Sequence, residues 1–227
     1  MFPNFQVTSA WCERFGDVTA KKFKRGKIKH REERSLFVIA VEGKTEYEYF
    51  NTFRNKLASV RIFVDQGKSS NPRAVLQAVN GKLDALKRDG ELRPGDEAWV
   101  IVDEDRWPEP ELVEIWKWGA ERRDRGIGFS VPQFEWWLLL HFEDGHGART
   151  QREIMDRLNS YLPEYQKGNR KQLKFADEAI SLAIERAYSK VKTVPYESGE
   201  RQAVLGAWTS VHILVDKIQA AIKRSNP

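Results

Sequence analysis

Long apolar segments, cysteine and histidine are all scarce in this chain of 227 residues. No stretch approaches the ~20 consecutive apolar residues of a membrane-spanning helix, so we predict that the protein is not a membrane protein. The first residues lack a basic region followed by a long apolar core, so we expect no secretory signal and a cytoplasmic location. The single cysteine, Cys12, cannot form an internal disulfide, and four histidines without a Cys-x-x-Cys pair exclude a thiolate zinc site. A metal in this protein would therefore be held by oxygen.

Positive charge is in modest excess, with 38 Lys and Arg against 33 Asp and Glu. The formal net charge of +5 is compatible with a nucleic-acid partner, and it is also common in proteins that bind none. The distribution is more informative, because residues 21–34 concentrate Lys and Arg just before the first apolar run. We interpret residues 1–34 as a basic amino-terminal arm, which either is simply solvated or neutralises phosphates.

Apolar runs alternate with helical patterns through the first part of the chain. These runs predict four strands, at 36–41, 60–64, 98–102 and 127–131. Apolar residues at helical spacing predict the intervening helices, at 45–57, 72–86 and 111–123. Such alternation implies a parallel sheet with right-handed crossovers, whose strands all end at one rim. Ligands bind at that rim in open α/β sheets, at the point where the strand order reverses.

The character of the sequence changes after the fourth predicted strand. Residues 134–142 are densely apolar, a glycine-rich stretch follows, and no further strand is evident. Helical patterns are found at 151–158, 177–190 and 209–223. We therefore predict an α/β domain over 35–142, with a parallel sheet of about four strands flanked by helices, and a helical extension over 143–227 packed on it.

Two of the predicted strands end in acidic residues. Asp103 and Asp105 follow the third strand, and their side chains point the same way if the backbone stays extended. Glu42 ends the first strand at the same rim, and Glu46 lies one helical turn further along. Carboxylates brought together repel one another unless some are protonated or a cation neutralises them. Because Mg²⁺ and Mn²⁺ prefer oxygen ligands, we predict such an ion on Glu42, Asp103 and Asp105.

Acidic residues at strand ends have a simpler explanation, because they also stabilise the amino-terminal ends of helices. Either motif alone favours that explanation, whereas the two together favour a site. Gly43 permits a tight turn and the close approach of a ligand, and Lys44 and Thr45 add a cation and a hydroxyl at the start of a helix. We predict that Lys44, Lys68 and Arg106 contact phosphate.

The segment VIAVEGKTEYEYF, followed about sixty positions later by VIVDEDRW, resembles the two acidic motifs of Toprim domains. More narrowly, the chain resembles RloB-like proteins, also called AbiLii in abortive-infection systems. These carry an EGxTE motif, a DxD motif and a segment ending FExWLLLHF, which residues 134–142 match. Similar pieces lie at 188–190 and 209–215, so the resemblance spans about residues 34–215. The chain departs from the family pattern at two places. Residues 206–208 read Gly-Ala-Trp where an Asn-Pro pair is expected, and Gln133 stands where prolines or a cysteine are expected.

The resemblance implies a Toprim fold and a nuclease-like role in bacterial defence against phage, beside a partner ATPase of the RloA/AbiLi type. It also implies that Glu42 acts near the attacking or leaving group and that Asp103 and Asp105 hold the metal. We therefore predict a Mg²⁺-dependent or Mn²⁺-dependent enzyme that cleaves phosphodiester bonds of DNA or RNA, with Glu42, Glu46, Asp103 and Asp105 as catalytic residues.

Two other functions are compatible with the same residues. In the first, the chain is a non-catalytic regulatory subunit of that ATPase and binds metal or nucleic acid without cleaving it. In the second, it is a phosphatase of the haloacid-dehalogenase type, which also carries a DxD motif. Trp107 argues against a phosphatase, because that motif expects Thr or Val at this position.

Three further residues are candidate accessory groups. Glu135 lies in an apolar segment, and a buried carboxylate must be paired or functional. His141 is either a core histidine or a base, and Lys190 either approaches a phosphate or interacts with a helix dipole. A homodimer with twofold symmetry is the commonest assembly of identical chains and is a further hypothesis.

Overall fold

The structure, a computed structural model, describes residues 35–54, 60–66, 71–104, 109–191 and 206–225. The basic arm predicted at 1–34 lies outside these residues, as do Lys68, Asp105, Arg106 and Trp107.

Five strands of the described chain form a single sheet. They are β1 (Ser35–Val41), β2 (Val60–Gln66), β3 (Glu97–Asp103), β4 (Arg125–Val131) and β5 (Trp208–Thr209). Their spatial order is β2-β1-β3-β4-β5, with β1 to β4 parallel and β5 antiparallel to β4. This architecture confirms the predicted α/β class and is compatible with a Toprim-like fold. The fifth strand was not predicted, because two residues are too few to show a periodic pattern.

Seven α-helices flank this sheet within the described ranges. They are α1 (Lys44–Asn51), α2 (Pro72–Arg88), α3 (Glu109–Ala120), α4 (Glu135–Leu139), α5 (Gln151–Tyr161), α6 (Asp177–Lys190) and α7 (Val211–Ser225). A short 3₁₀ helix covers Arg170–Leu173. The start of α2 follows from the sequence, because Pro72 fills its first position and the side chain of Asn71 accepts a hydrogen bond from Ala74 N at 2.8 Å. None of the helices described here is both long and apolar enough to cross a membrane.

Helices cover both faces of the sheet, and this explains why the strands are continuous apolar runs. Alternate side chains of β1 enter two separate hydrophobic clusters. One cluster contains Phe37, Ile39 and Val41 and is covered by α1 and by α4 to α7. The other contains Leu36, Val38 and Ala40 and is covered by α2 and α3. The helices after residue 142 therefore share the first cluster with the sheet.

The strand order reverses between β1 and β3. From β1 the chain proceeds outward to β2 and then returns past β1 to form β3 on its other side. The chain leaves β1 toward β2 and leaves β3 toward β4, in opposite directions, and in open α/β sheets ligands bind beyond the carboxyl ends of two such strands. The register continues past β1, where Glu42 N donates a hydrogen bond to Ile101 O at 3.2 Å. Residue 42 therefore lies beside the last residues of β3.

Ser210 joins the carboxyl-terminal helix to the edge of the sheet. Its backbone N–H donates to Phe129 O at 2.9 Å, and its hydroxyl donates to Ile127 O at 2.9 Å and accepts from Phe129 N at 2.9 Å. The residue is fully buried. One hydroxyl thus satisfies two backbone groups of β4 next to the short β5 pairing.

We expect Ser210→Ala to lower the free energy of unfolding by about 3 kcal/mol, because the N–H of Phe129 and the C=O of Ile127 lose a buried partner. Urea denaturation followed by tryptophan fluorescence measures this loss. Ser189→Ala is the matched control, because the Ser189 hydroxyl donates to Arg186 O on an exposed part of α6 and its removal changes stability by less than about 0.5 kcal/mol. Equal destabilisation by both variants would contradict the role of Ser210.

Candidate functional site

Four acidic side chains come together at the carboxyl-terminal rim of the sheet. They form what we call the acidic cluster, which consists of Glu42 after β1, Glu46 in the first turn of α1, Asp103 at the end of β3 and Glu135 at the start of α4. Phe134 N, next to Glu135, donates a hydrogen bond to Asp103, and the charges of Glu46, Glu135 and Glu42 each raise the pKa of Asp103, as neighbouring carboxylates do. The three glutamates are at most 6% exposed, and Asp103 is partly buried. Carboxylates from four parts of the fold thus lie together with little exposure to solvent.

Gly43 lets the carboxylate of Glu46 fold back over the turn between β1 and α1. The backbone of Gly43 is extended, with φ −116°, so any residue could adopt it. Space is the constraint, because a Cβ atom at this position would lie 2.5 Å from Glu46 Oε2. The glycine of the EGxTE motif therefore serves the close approach of a side chain within the same turn.

One oxygen atom of Asp103 is held by the backbone. Its Oδ2 atom accepts a hydrogen bond from Phe134 N at 3.1 Å, so the turn between β4 and α4 fixes its orientation. Its Oδ1 atom is sealed from solvent and has no hydrogen-bond partner among the described residues. Burial raises the pKa of Asp103 well above the ordinary value of an aspartate, and the neighbouring carboxylates raise it further.

Glu46 has a pKa raised to about 7. Burial is the largest cause and outweighs the opposing hydrogen bond from the backbone of Glu46 itself. The charges of Glu135 and Glu42 raise this pKa further, whereas the charge of Lys167 lowers it. In the absence of a metal ion, the acidic cluster therefore retains protons near neutral pH.

The loop over residues 163–169 contributes groups that sequence reasoning missed. Tyr165 Oη donates a hydrogen bond to Glu135 Oε1 at 3.3 Å, and Lys167 Nζ forms an ion pair with the same oxygen at 3.3 Å. Gly168 N donates to the Thr45 hydroxyl at 3.1 Å. The sequence of this loop is simply polar, so no periodicity or motif signalled that it reaches the site.

Lys44 is the first residue of α1 and lies at the border of the acidic cluster. Its aliphatic chain packs against Gly168, where a Cβ atom would lie 2.6 Å from Lys44 Cγ. Gly168 has φ +74°, so glycine is favoured there on both counts. The lysine is exposed, and its stem is thus fixed between α1 and the loop.

His141 lies in an aromatic core and not in the acidic cluster. Its Nδ1 atom is 3.0 Å from Trp137 O and must donate to that carbonyl, so Nε2 accepts from Tyr49 Oη at 3.3 Å. Its ring stacks on Phe175 at 3.9 Å. Burial lowers the pKa of His141 to about 3, so the imidazole is neutral at physiological pH.

Lys190 is also not part of the acidic cluster. It is the last residue of α6, is exposed, and has its Nζ atom 5.7 Å from the centre of the Trp136 ring. Together with His146 and Arg149 it lines an open cleft of about 390 Å³. The structure therefore brings together Glu42, Glu46, Asp103, Glu135 and Lys44, and it places His141 and Lys190 elsewhere.

The acidic cluster fits a hard divalent cation in donor type and in charge. All its donors are carboxylate oxygens, which suit Mg²⁺ and Mn²⁺, and Asp103 Oδ1 is a buried acceptor that lacks a partner among the described residues. Within the same ranges, no group of three or more His, Cys, Asp or Glu side chains is placed so that it could hold a metal ion by itself. The predicted ligand Asp105 lies outside those ranges, so the full predicted set stays a prediction.

Comparison with known protein families identifies the family of this chain. A family model described as RloB-like protein matches residues 37–218. The chain belongs to the RloB-like protein family. No curated protein and no solved structure matches it. In this RloB-like protein the matched range includes most of β1, all of β2 to β5 and all four residues of the acidic cluster.

We expect Glu46→Gln to stabilise the metal-free protein by about 3 kcal/mol above pH 7. As pH rises from about 4.5 to about 7, the unfolded chain releases the Glu46 proton while the folded chain retains it, so the wild type loses stability over this window. Glutamine cannot ionise, so the variant keeps that stability, and the two proteins converge below pH 4.5.

Urea denaturation in EDTA between pH 4 and pH 8 measures this difference. Glu185→Gln is the matched control, because Glu185 is exposed in the middle of α6. If the curves of wild type and Glu46→Gln stay parallel over the whole range, the raised pKa of Glu46 is refuted.

Proposed function

We propose that this RloB-like protein is a metal-dependent hydrolase that cleaves phosphodiester bonds of nucleic acid, with Mg²⁺ or Mn²⁺ as its cofactor. One observation carries the proposal: four acidic side chains, those of Glu42, Glu46 and Glu135 buried and that of Asp103 partly buried, converge at the rim where the strand order reverses. Negative charges that are buried together destabilise a protein unless protons or a cation neutralise them. A divalent ion is the neutralising group that also gives this arrangement a chemical use.

Each residue of the acidic cluster has a role in the proposed reaction. Asp103 and Asp105 would hold the ion, and Glu42 would either complete the shell of a second ion or accept the proton of the attacking water. When bound, the ion would polarise a phosphoryl oxygen and assist ionisation of water. Glu46, with a pKa of about 7 in the metal-free protein, exchanges its proton near neutral pH, as a general base requires.

The start of α1 suits a phosphate group beside these carboxylates. Backbone N–H groups at a helix amino terminus are free to bind an anion, and Lys44 adds a positive charge at the first helical position. Lys68 and Arg106 would add further phosphate contacts. Binding dominated by such contacts predicts an affinity for nucleic acid that falls steeply with salt concentration.

The proposed biological setting comes from the family resemblance. It implies a cytoplasmic effector of abortive infection that works beside an ATPase of the RloA/AbiLi type. In that setting the partner would restrain or trigger cleavage, and the isolated chain could be silent while its site is competent. The same assay therefore tests the alternative function, in which this chain is a non-catalytic regulatory subunit of the ATPase.

We expect Glu42→Gln and Asp103→Asn each to lower nucleic-acid cleavage by about 100-fold or more, because each removes a group that acts at the reacting centre. The assay uses purified protein with Mg²⁺ or Mn²⁺ and separate DNA, RNA and tRNA substrates, alone and with the partner ATPase. Glu185→Gln is the control and should cleave like the wild type.

Three outcomes of this assay are distinct. Cleavage by the isolated wild type that both variants lose supports the enzyme. Cleavage that appears only with the ATPase, and that still depends on Glu42, supports a gated enzyme. Cleavage that appears only with the ATPase and survives both substitutions assigns the chemistry to the partner and makes this chain its regulatory subunit.

A second experiment substitutes two glycines, Gly43 beside the Glu46 carboxylate and Gly81 in the interior of α2. We expect Gly43→Ala to weaken Mn²⁺ binding by on the order of tenfold, because the added methyl group displaces the Glu46 carboxylate from the acidic cluster. Gly81→Ala lies inside α2 with no atom within 4 Å of the added Cβ, so it should bind Mn²⁺ like the wild type and be more stable by about 0.5–1 kcal/mol. Calorimetric titration measures both affinities, and equal values for the two variants would contradict a role for Glu46 at the ion.

A further inference from the structure

A lysine from the loop over residues 163–169 reaches the acidic cluster. Lys167 Nζ lies 3.3 Å from Glu135 Oε1, and its charge also lowers the pKa of Glu46. The two partners differ in exposure, since the Lys167 side chain is 60% exposed and that of Glu135 only 2%. The ammonium group therefore enters the acidic cluster from the solvent side, the side from which a metal ion would also enter.

The structure holds this loop firmly in place. Asn159 Oδ1 accepts a hydrogen bond from Tyr165 N at 3.2 Å. The side chain of Gln172 accepts from Gln166 N at 3.1 Å and donates to Pro163 O at 3.3 Å. These bonds brace the loop between α5 and the 3₁₀ helix.

The loop is also attached to α1, the helix that carries Glu46. Gly168 N donates to the Thr45 hydroxyl, as described above, and Arg170 Nη2 donates to Asn51 O at 3.1 Å. The position of Lys167 beside Glu135 is thus set by flanking backbone contacts and does not depend on the ion pair alone.

An ammonium group and a divalent cation serve the same electrostatic need in the acidic cluster. Each neutralises carboxylates that are buried together, and two cations in the same small volume repel one another. Occupation of the acidic cluster by a divalent ion would therefore weaken the attraction that draws Lys167 to Glu135. Lys167 is long and flexible beyond its anchored backbone, so its head group can leave while the loop stays in place.

We propose that Lys167 is a resident counter-cation of the acidic cluster, and that its ammonium group competes with the divalent ion and is displaced from Glu135 when the ion binds. This inference rests on the proposed function, since it assumes a metal ion at the acidic cluster. Displacement leaves a lysine at the mouth of the site, next to Lys44, where a phosphate group of a nucleic acid would lie. Binding of the metal ion would therefore release the Lys167 ammonium group, which could then bind a phosphate group.

The test compares Mn²⁺ affinities by calorimetric titration of the full chain. We expect Lys167→Gln to bind Mn²⁺ about fivefold more tightly than the wild type, because a competing positive charge has been removed. Lys167→Arg keeps the charge and should show no such gain. Lys171→Gln is the matched control, because Lys171 is an exposed lysine of the 3₁₀ helix just beyond the loop, and its substitution should leave the affinity unchanged.

A readout without metal accompanies the titration. In EDTA at pH 8, Lys167→Gln should lower the melting temperature, because the carboxylates lose their counter-cation. The same substitution made in a Glu135→Gln background should lower it less, because the partner charge is then already absent.

The outcomes separate the two proposals. Equal Mn²⁺ affinity of wild type and Lys167→Gln, or weaker binding by the variant, refutes competition by Lys167 and leaves the metal site standing. Absence of Mn²⁺ binding by both proteins refutes the metal site itself and the competition with it. A melting temperature that Lys167→Gln lowers equally in both backgrounds refutes the counter-cation role.

Discussion

The pairing of β1 with β3 is the constraint on which the site depends. These two parallel strands are neighbours although β2 separates them in the chain, and their ladder continues to the hydrogen bond between Glu42 N and Ile101 O. The pairing brings two acidic strand ends side by side. The chain also leaves these two strands in opposite directions, and ligands of open α/β sheets bind at such a point. Without this register, Glu42 and Asp103 would be acids on separate loops.

The acidic cluster lowers the stability of the folded, metal-free protein at neutral pH. Burial raises the pKa values of Glu46 and Asp103, so the folded metal-free protein holds protons that the unfolded chain would release. Proteins tolerate such local conflict mainly where it serves function. Here the surrounding structure compensates in part, since Glu135 receives Tyr165 and Lys167 while Asp103 receives the N–H of Phe134.

Much of this arrangement could be predicted from the sequence, and the reason is topological. Apolar runs that end in Glu42 and Asp103 identify strands covered on both faces, and parallel strands must end at one rim, so proximity follows without knowledge of side-chain detail. The family motif FExWLLLHF was harder to interpret. Glu135 of this motif lies in the acidic cluster, whereas His141 packs in an aromatic core. The sequence of the motif does not distinguish these two locations.

The loop that carries Tyr165 and Lys167 could not be predicted. It lies about 120 residues from the EGxTE motif, and its polar sequence has the composition of any solvated turn. Its contact with Thr45 depends on how the 3₁₀ helix packs on α1, which is a tertiary property that local patterns do not contain. The two-residue β5 was not predicted for a related reason, because its pairing with β4 depends on the buried contacts of Ser210.

The pairing of β5 with β4 also governs how the sheet meets its surroundings. A strand at the margin of a sheet is a template onto which another polypeptide can add, and such addition leads to unwanted assembly. Here β5 occupies the carboxyl-terminal part of the open margin of β4, and the fully buried Trp208 anchors it there. A foreign strand could pair along that part of β4 only after Trp208, Thr209 and the start of α7 had been pulled away. The protein thus protects this margin with a segment whose removal would also disrupt its own core.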